Sequence, residues 1–231
     1  MKRLILTLLP ALALLALLAG CHKQDSYSYS GIEAGTISSG VFTSDNGTQM
    51  TIVGNEDKYD VSSSRRVLIS YKTHPVTDPV HIDIDLLGLM DAGILRPVHV
   101  RSLPEDPTGS PLQVSDAWFS NEYLNILATF EGKEADKHTF AATYTVDEKG
   151  ISVRLDHDGS QETVTGNTPL SIFLCVPMYE LALSYDQYAQ SVALKPTYPI
   201  PVILQWTART LDGGPLTLQE RKGSYRPPVA E

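Results

Sequence analysis

The sequence predicts an all-β protein: a small barrel followed by a β-sandwich. Two observations carry this. Short β-prone runs recur along the chain, separated by glycine- and acid-rich turn signals, and no long amphipathic helix follows residue 30. A proline-rich break after Leu103 then divides the runs into two groups.

Ile32 to Ser38 leads into Val41-Phe42, and Asp45-Asn46-Gly47 follows as a turn that accommodates positive φ. Thr48 to Val53 returns, and Val67 to Tyr71 is a compact β run. Val80 to Leu86 alternates strictly. Val80, Ile82, Ile84 and Leu86 face one way, and His81, Asp83 and Asp85 the other, as in a half-buried strand. Ile94 to Leu103 supplies another strand, in which Pro97 requires an edge or a bulge. These segments suit a small barrel over residues 31–103.

Leu103 to Pro111 carries three prolines, two acids, Gly109 and Ser110, so residues 104–117 read as a linker. Strand signals resume over 118–231. They are Glu122 to Phe130, His138 to Val146, Ile151 to His157, Leu170 to Val176, Pro201 to Arg209 and Leu216 to Gln219. Glu148-Lys149-Gly150, Asp158-Gly159-Ser160 and Asp212-Gly213-Gly214 mark turns between them, which is the rhythm of a sandwich. Tyr179 to Gln190 fits either a short helix or a loop.

The chain opens on Met1-Lys2-Arg3, followed by an apolar run from Leu4 to Ala19 broken only by Thr7 and Pro10. Leu18-Ala19-Gly20-Cys21 then gives way to polar His22-Lys23-Gln24-Asp25. A basic start, a short apolar stretch and small residues before a cut are marks of a secretory signal. The run is shorter than the roughly 20 residues of a spanning helix. Leu-Ala-Gly-Cys resembles the lipobox of bacterial lipoproteins, which implies cleavage after residue 20 and acylation of the Cys21 sulfur. The alternative is a signal anchor or an ordinary cleaved signal, with Cys21 incidental. Each buried methylene contributes about 0.8 kcal/mol, and several acyl chains together hold firmly. The expected partner is therefore a membrane, reached through Cys21 and a polar tether at 21–30. The expected place is the cell envelope, at the outer membrane, on its periplasmic face or the cell surface.

The formal charge is −9, and removing Lys2 and Arg3 takes it to −11. That balance argues against nucleic acid, which demands a basic face, and against electrostatic docking on anionic lipid. Cys175 is the only cysteine besides Cys21, so acylation of Cys21 leaves no intramolecular disulfide. Within its apolar run Cys175 reads as a small buried hydrophobe.

Several short motifs then coincide in order: Ala34-Gly35-Thr36-Ile37, Asp45-Asn46-Gly47-Thr48 and Arg66-Val67-Leu68-Ile69-Ser70-Tyr71, then Tyr123-Leu124-Asn125-Ile126 and Lys137-His138-Thr139-Phe140. In this order and spacing, behind a lipobox, the chain resembles the NigD-like lipoproteins of Bacteroidales. The resemblance covers most of the mature chain and weakens beyond residue 176. One departure is Leu155-Asp156-His157-Asp158, which keeps only the His of the family's Arg-His-Asn. The resemblance implies an oligonucleotide/oligosaccharide-binding-type (OB) barrel, a C-terminal β-sandwich and a non-catalytic role in the envelope, bacteriocin immunity among them. An OB shape does not by itself imply nucleic-acid binding.

No H-E-x-x-H, G-x-S-x-G or phosphate-binding glycine loop is present. His81, Asp83 and Asp85 are candidate ligands on one strand face. Neighbours there lie roughly 7 Å apart, so one ion would need a further ligand from another strand. The plainer reading is a solvated outer face. His157 lies between Asp156 and Asp158, yet adjacent strand residues point to opposite faces and would pair poorly with it. His138 starts a strand, where it fixes a turn or pairs with a neighbour. Tyr179, Tyr185, Tyr188, Tyr198 and Tyr225, with Trp206, could form a sugar-stacking platform, although sandwiches commonly bury such rings. Arg65-Arg66 reads as a solvated edge charge. The sequence thus signals no enzyme, cofactor or metal. It points to a binding or accessory protein for an envelope protein, peptide or glycan, with a carbohydrate-binding or adhesin-like surface protein as the alternative. On this reading Cys21→Ala abolishes labelling by a fatty-acid probe and releases the protein from membranes; unchanged labelling of that variant contradicts the lipid anchor.

Overall fold

A computed structural model describes residues 27–76, 78, 80–120, 122–162, 168–210 and 214–228. The expected signal segment, Cys21, most of the tether and Asp212-Gly213 lie outside the described residues. Besides two short 3-10 turns at Glu56–Lys58 and Ala135–Lys137, thirteen strands and one α-helix are described. They are β1 Ser30–Ser38, β2 Val41–Ser44, β3 Gln49–Gly54, β4 Arg65–Thr73, β5 Ile82–Ile94, β6 Val98–His99, β7 Gln113–Phe119, β8 Tyr123–Glu131, β9 Thr139–Asp147, β10 Gly150–Asp158, β11 Pro169–Pro177, α1 Tyr179–Ser191, β12 Ile200–Arg209 and β13 Leu216–Tyr225. The fold is all-β, as the strand rhythm predicts.

The first five strands close on themselves. β1 pairs with β2 and β4, β2 with β3, β4 with β5, and β3 runs parallel to β5. The ring is a five-stranded barrel filled by Ile37, Phe42, Met50, Val67, Ile69, Tyr71, Ile84 and Leu86. Gly47, at φ 88°, makes the β2–β3 turn that its side-chain-free backbone permits. Alternation in β5 holds as read, with Ile82, Ile84 and Leu86 buried, but Val80 lies before the strand and is exposed.

Three strand expectations need correction. β5 does not stop at Leu86. It continues to Ile94, and its second half pairs in parallel with β11, Phe173 opposite Ala92 and Cys175 opposite Ile94. Leu87 to Ile94 contains no turn residue pair that would end it. The strand expected over Ile94 to Leu103 is reduced to Val98–His99, since Pro97 supplies no N–H to a ladder. Those two residues pair with β9 in the other sheet. β13 in turn runs beyond Gln219 to Tyr225, along the whole of β12.

The resulting eight-stranded sheet, β3-β2-β1-β4-β5-β11-β8-β7, runs from the barrel into the sandwich. A second sheet, β13-β12-β10-β9-β6, faces its far end. Between them lie Leu124, Ile126, Val176, Val153, Leu155 and Leu204. α1 settles the ambiguous stretch as a helix. Leu181, Ala182, Tyr185 and Ala189 recur at helical spacing and are buried, and the helix packs on β9 and β10.

The stretch 104–117 is not free chain. β7 begins at Gln113, where Leu112 and Val114 are already buried. Before it, residues 108–112 form a strap bonded to the second sheet. Thr108 N–H donates to Thr207 Oγ1 (3.0 Å), Ser110 N–H to the His157 carbonyl (2.7 Å) and Leu112 N–H to the Thr207 carbonyl (2.9 Å). Gly109 is required there. Its φ is +76°, and a Cβ would lie 2.5 Å from the His157 carbonyl oxygen. Proline and glycine exclude regular structure from the strap, but not contact.

β8 and β11 are buried on both faces. Their inner side chains fill the sandwich. On the outer side Phe173, Cys175, Leu127 and Trp118 meet Ala34, Leu68 and Met90 of the barrel strands. Arg66 of β4 enters this junction. Its Nη1 and Nη2 donate to the two carboxylate oxygens of Asp45 at 2.7 Å each. Nη2 also donates to Asn125 Oδ1 (2.7 Å), and Nε to Cys175 Sγ (3.2 Å). The guanidinium lies 4.0 Å from the Tyr123 ring centroid. Arg66 is therefore a buried, fully engaged cation and not a solvated edge charge. Arg65 stays at the surface beside Asp91 and Asp60. Cys175 is buried as read, but as a polar partner: its thiol donates to Asn125 Oδ1 (3.3 Å), and burial pushes its pKa up to about 11.

Candidate functional site

Besides the Arg66 cluster, two places among the described residues bring chemistry-bearing side chains together. The first is a buried imidazole pair. The tight Glu148-Lys149 turn sets the β9–β10 register and puts His157 opposite Phe140. His138 is then its diagonal neighbour across the ladder. His138 Nδ1 lies 2.8 Å from His157 Nε2, and His157 Nδ1 lies 3.1 Å from the Pro111 carbonyl oxygen. Phe130 and Phe140 pack against the rings. Glu162 Oε2 lies 3.3 Å from His138 Nε2, in geometry off the line of a hydrogen bond. Its other oxygen accepts from the backbone N–H groups of Lys133 and Glu134.

Proton counting orders this chain. A carbonyl only accepts, so His157 Nδ1 carries a proton and its neutral ring accepts at Nε2 from His138 Nδ1. Burial pushes the His157 pKa down, assisted by the neighbouring His138, while the Pro111 carbonyl opposes the shift. Backbone donors, with His138 beside them, hold Glu162 below the usual carboxylate range. Among the described residues no side-chain hydroxyl, thiol or amine hydrogen-bonds to either imidazole. The pair can hold a proton and pin the strap through Pro111.

The second place is a groove of about 780 Å³ at one end of the sandwich. Its walls are Tyr123 at the start of β8, Tyr179 and Leu183 on α1, Tyr198 before β12, and Tyr225 with Pro227 at the chain's end. Tyr179, Leu183 and Asp186 stand at i, i+4 and i+7, on one face of the helix. Tyr179 is 73% exposed and Tyr198 47% exposed, although both are aromatic. The Tyr198 hydroxyl donates to Asp186, and that bond, more than burial, holds its pKa up at about 12.

The residues singled out from the sequence fall into three sets. His81, Asp83 and Asp85 do not converge. His81 pairs with Asp78 (2.9 Å), Asp85 with His74 (2.9 Å), and Asp83 is exposed on its own. No group of three or more His, Cys, Asp or Glu placed to hold a metal occurs among the described residues. His138 and His157 do converge, with Glu162, which nothing in the sequence marked. Asp156 turns away toward Arg154 and Thr108, as opposite strand faces require. Of the tyrosines, Tyr185 and Tyr225 are buried, whereas Tyr179 and Tyr198 open into the groove. Tyr123 stood in one of the short motifs but not among the tyrosines singled out, and Leu183 was unmarked.

The sequence matches no family model and no curated protein. Solved structures do match. A NigD-like immunity protein from Bacteroides caccae is 18% identical, with a TM-score of 0.57 over 87% of this chain and 97% of that one. A Bacteroides fragilis protein assigned as a lipoprotein is 12% identical, with a TM-score of 0.58 over 89% of this chain and 100% of that one. The fold is that of the NigD-like proteins. A DUF1344 protein of unknown function from Bacteroides vulgatus shares it at 13% identity, with a TM-score of 0.53 over 87% and 92% of the two chains. At such identities the NigD-like fold carries over and the function does not follow from it.

The imidazole pair yields a pH dependence. A ring held neutral in the folded state takes up protons more readily when unfolded. Stability is therefore full above the unfolded His value near 6.5 and falls as pH drops below it. Below about 4.5, Glu162 adds to the loss, because protonation removes a carboxylate that the fold favours. Urea midpoints are expected to fall between pH 7.5 and pH 5, and to fall less in His157→Gln. An identical pH dependence in the two proteins contradicts this assignment.

Proposed function

We propose that the protein is a lipid-anchored cell-envelope protein that acts by binding, with the aromatic groove as its binding site. The carrying observation is the pair of exposed rings, Tyr179 and Tyr198, facing one apolar groove within the volume range of ligand sites. The buried imidazoles support a non-catalytic reading, since among the described residues no side-chain hydroxyl, thiol or amine is hydrogen-bonded to them. The anchor on Cys21, at the outer membrane, raises local concentration and makes a modest site useful. An immunity role is supported by the name that the Bacteroides caccae protein carries. A carbohydrate-binding role is the second reading, favoured by the open faces of the two tyrosines.

The test is site-specific photo-crosslinking in intact cells, with the reactive side chain at Leu183 and, as control, at Lys72 on the barrel. A discrete adduct at Leu183 and none at Lys72 is expected. No adduct at Leu183 contradicts the groove as the site. Turnover of glycan, peptide or ester substrates that is lost in His157→Ala would contradict the non-catalytic reading.

A further inference from the structure

Resting on the reading of the groove as the binding site, we infer that it takes an extended, proline-containing peptide segment bearing basic residues.

The open tyrosine faces could stack on a sugar, but the rest of the lining suits a peptide better. The walls are tyrosine, leucine and proline, and the charged groups among the described lining residues are Glu122, Asp186 and Arg226. Asp186 already accepts from Tyr198. A polyhydroxylated ring laid on these walls would turn hydroxyls onto tyrosine rings, leucine and proline, at roughly 1–3 kcal/mol for each polar group left without a partner. Proline rings and aliphatic side chains bring no such cost. Aromatic-lined grooves suit a polyproline II segment, whose fixed φ means little entropy is lost on docking.

The chain supplies its own example. After β13, Arg226-Pro227-Pro228 continues without helix or strand along the same groove, and Pro227 is half-buried there. The groove's own lining thus already sets a proline beside an arginine among the tyrosines. A segment of like chemistry can lie alongside that tail, over Tyr179 and Leu183. Charge points the same way. Two carboxylates flank the groove, the one cation among its described lining residues, Arg226, belongs to the tail, and the chain carries a net −9. That field draws a basic peptide toward the groove and repels an acidic one.

The test titrates a fluorescein-labelled basic proline-rich decapeptide onto the full-length protein in detergent, read by fluorescence anisotropy. Saturable binding is expected, weaker at high salt and at least about tenfold weaker in Tyr179→Ala and Tyr198→Ala. Val53→Ala, an exposed apolar control on the barrel, leaves it unchanged, and circular dichroism confirms that each variant is folded. An acidic proline-rich decapeptide of equal length should bind at least about tenfold less well. Equal binding of the two peptides overturns the inference, as does displacement of the basic peptide by an oligosaccharide panel. A dimer on gel filtration that Tyr179→Ala dissociates would make a second copy the occupant and overturn it too. Absence of peptide binding alongside a Leu183 crosslink in cells overturns this inference alone. Absence of both overturns the binding-site reading with it.

Discussion

The guanidinium of Arg66 holds the barrel and the sandwich together. It starts in β4, bonds both carboxylate oxygens of Asp45 in the β2–β3 turn, and reaches Asn125 of β8 and Cys175 of β11. Burial works against its charge, but the bonds to Asp45 and Cys175 outweigh that and raise its pKa above the ordinary guanidinium value. A buried pair of this kind adds little over a well-packed apolar substitute, yet removing one partner costs about 3–5 kcal/mol, because a charge is left without compensation. Whole domains are stable by only about 5–15 kcal/mol. The cluster therefore accounts for a large share of what keeps the two parts in register. Trp118 stacked on Phe173, with ring centroids 6.0 Å apart, and the β5–β11 pairing close the junction around it.

The groove depends on the same cluster. Tyr123 lies under the Arg66 guanidinium and also forms part of the groove wall. β11 passes Cys175 and ends at Pro177, another wall residue, and α1 begins two residues later with Tyr179. The position of the tyrosines is thus set from the barrel side of the molecule. On the opposite side the His138–His157 pair fixes the strap through Pro111, and Arg154 lies beneath the strap, bonded to Thr108 and Thr207. Both buried clusters join segments far apart in sequence, which suits a scaffold that must present a preformed groove.

The strands were legible because their cause is local. Alternation in Val80 to Leu86, the Asn46-Gly47 turn and the apolar run Val67 to Tyr71 each act within a few residues. The ends of strands were less so. β5 continues to Ile94 because β11 arrives to pair with it, and no neighbour in sequence announces that. Arg66 looked like an ordinary edge charge. Its partners lie 21, 59 and 109 residues away, and a charge after a serine loop is normally solvated. Three of the motifs that carried the resemblance, around Asp45, Arg66 and Tyr123-Asn125, meet in this one cluster. The imidazole pair was half legible: both histidines stood out, and the Glu148-Lys149-Gly150 turn held the register that brings them together. The groove was readable only as an excess of tyrosines, because tertiary packing decides which of them stay open.

Differential scanning calorimetry of the wild-type protein and of Arg66→Ala tests most directly whether this cluster makes barrel and sandwich one cooperative unit. The expected wild-type result is a single transition. Arg66→Ala should melt lower, by a loss of about 3–5 kcal/mol, and separate into two transitions as the barrel uncouples from the sandwich. A single transition in Arg66→Ala, within about 0.5 kcal/mol of the wild type, would contradict the role assigned to this residue.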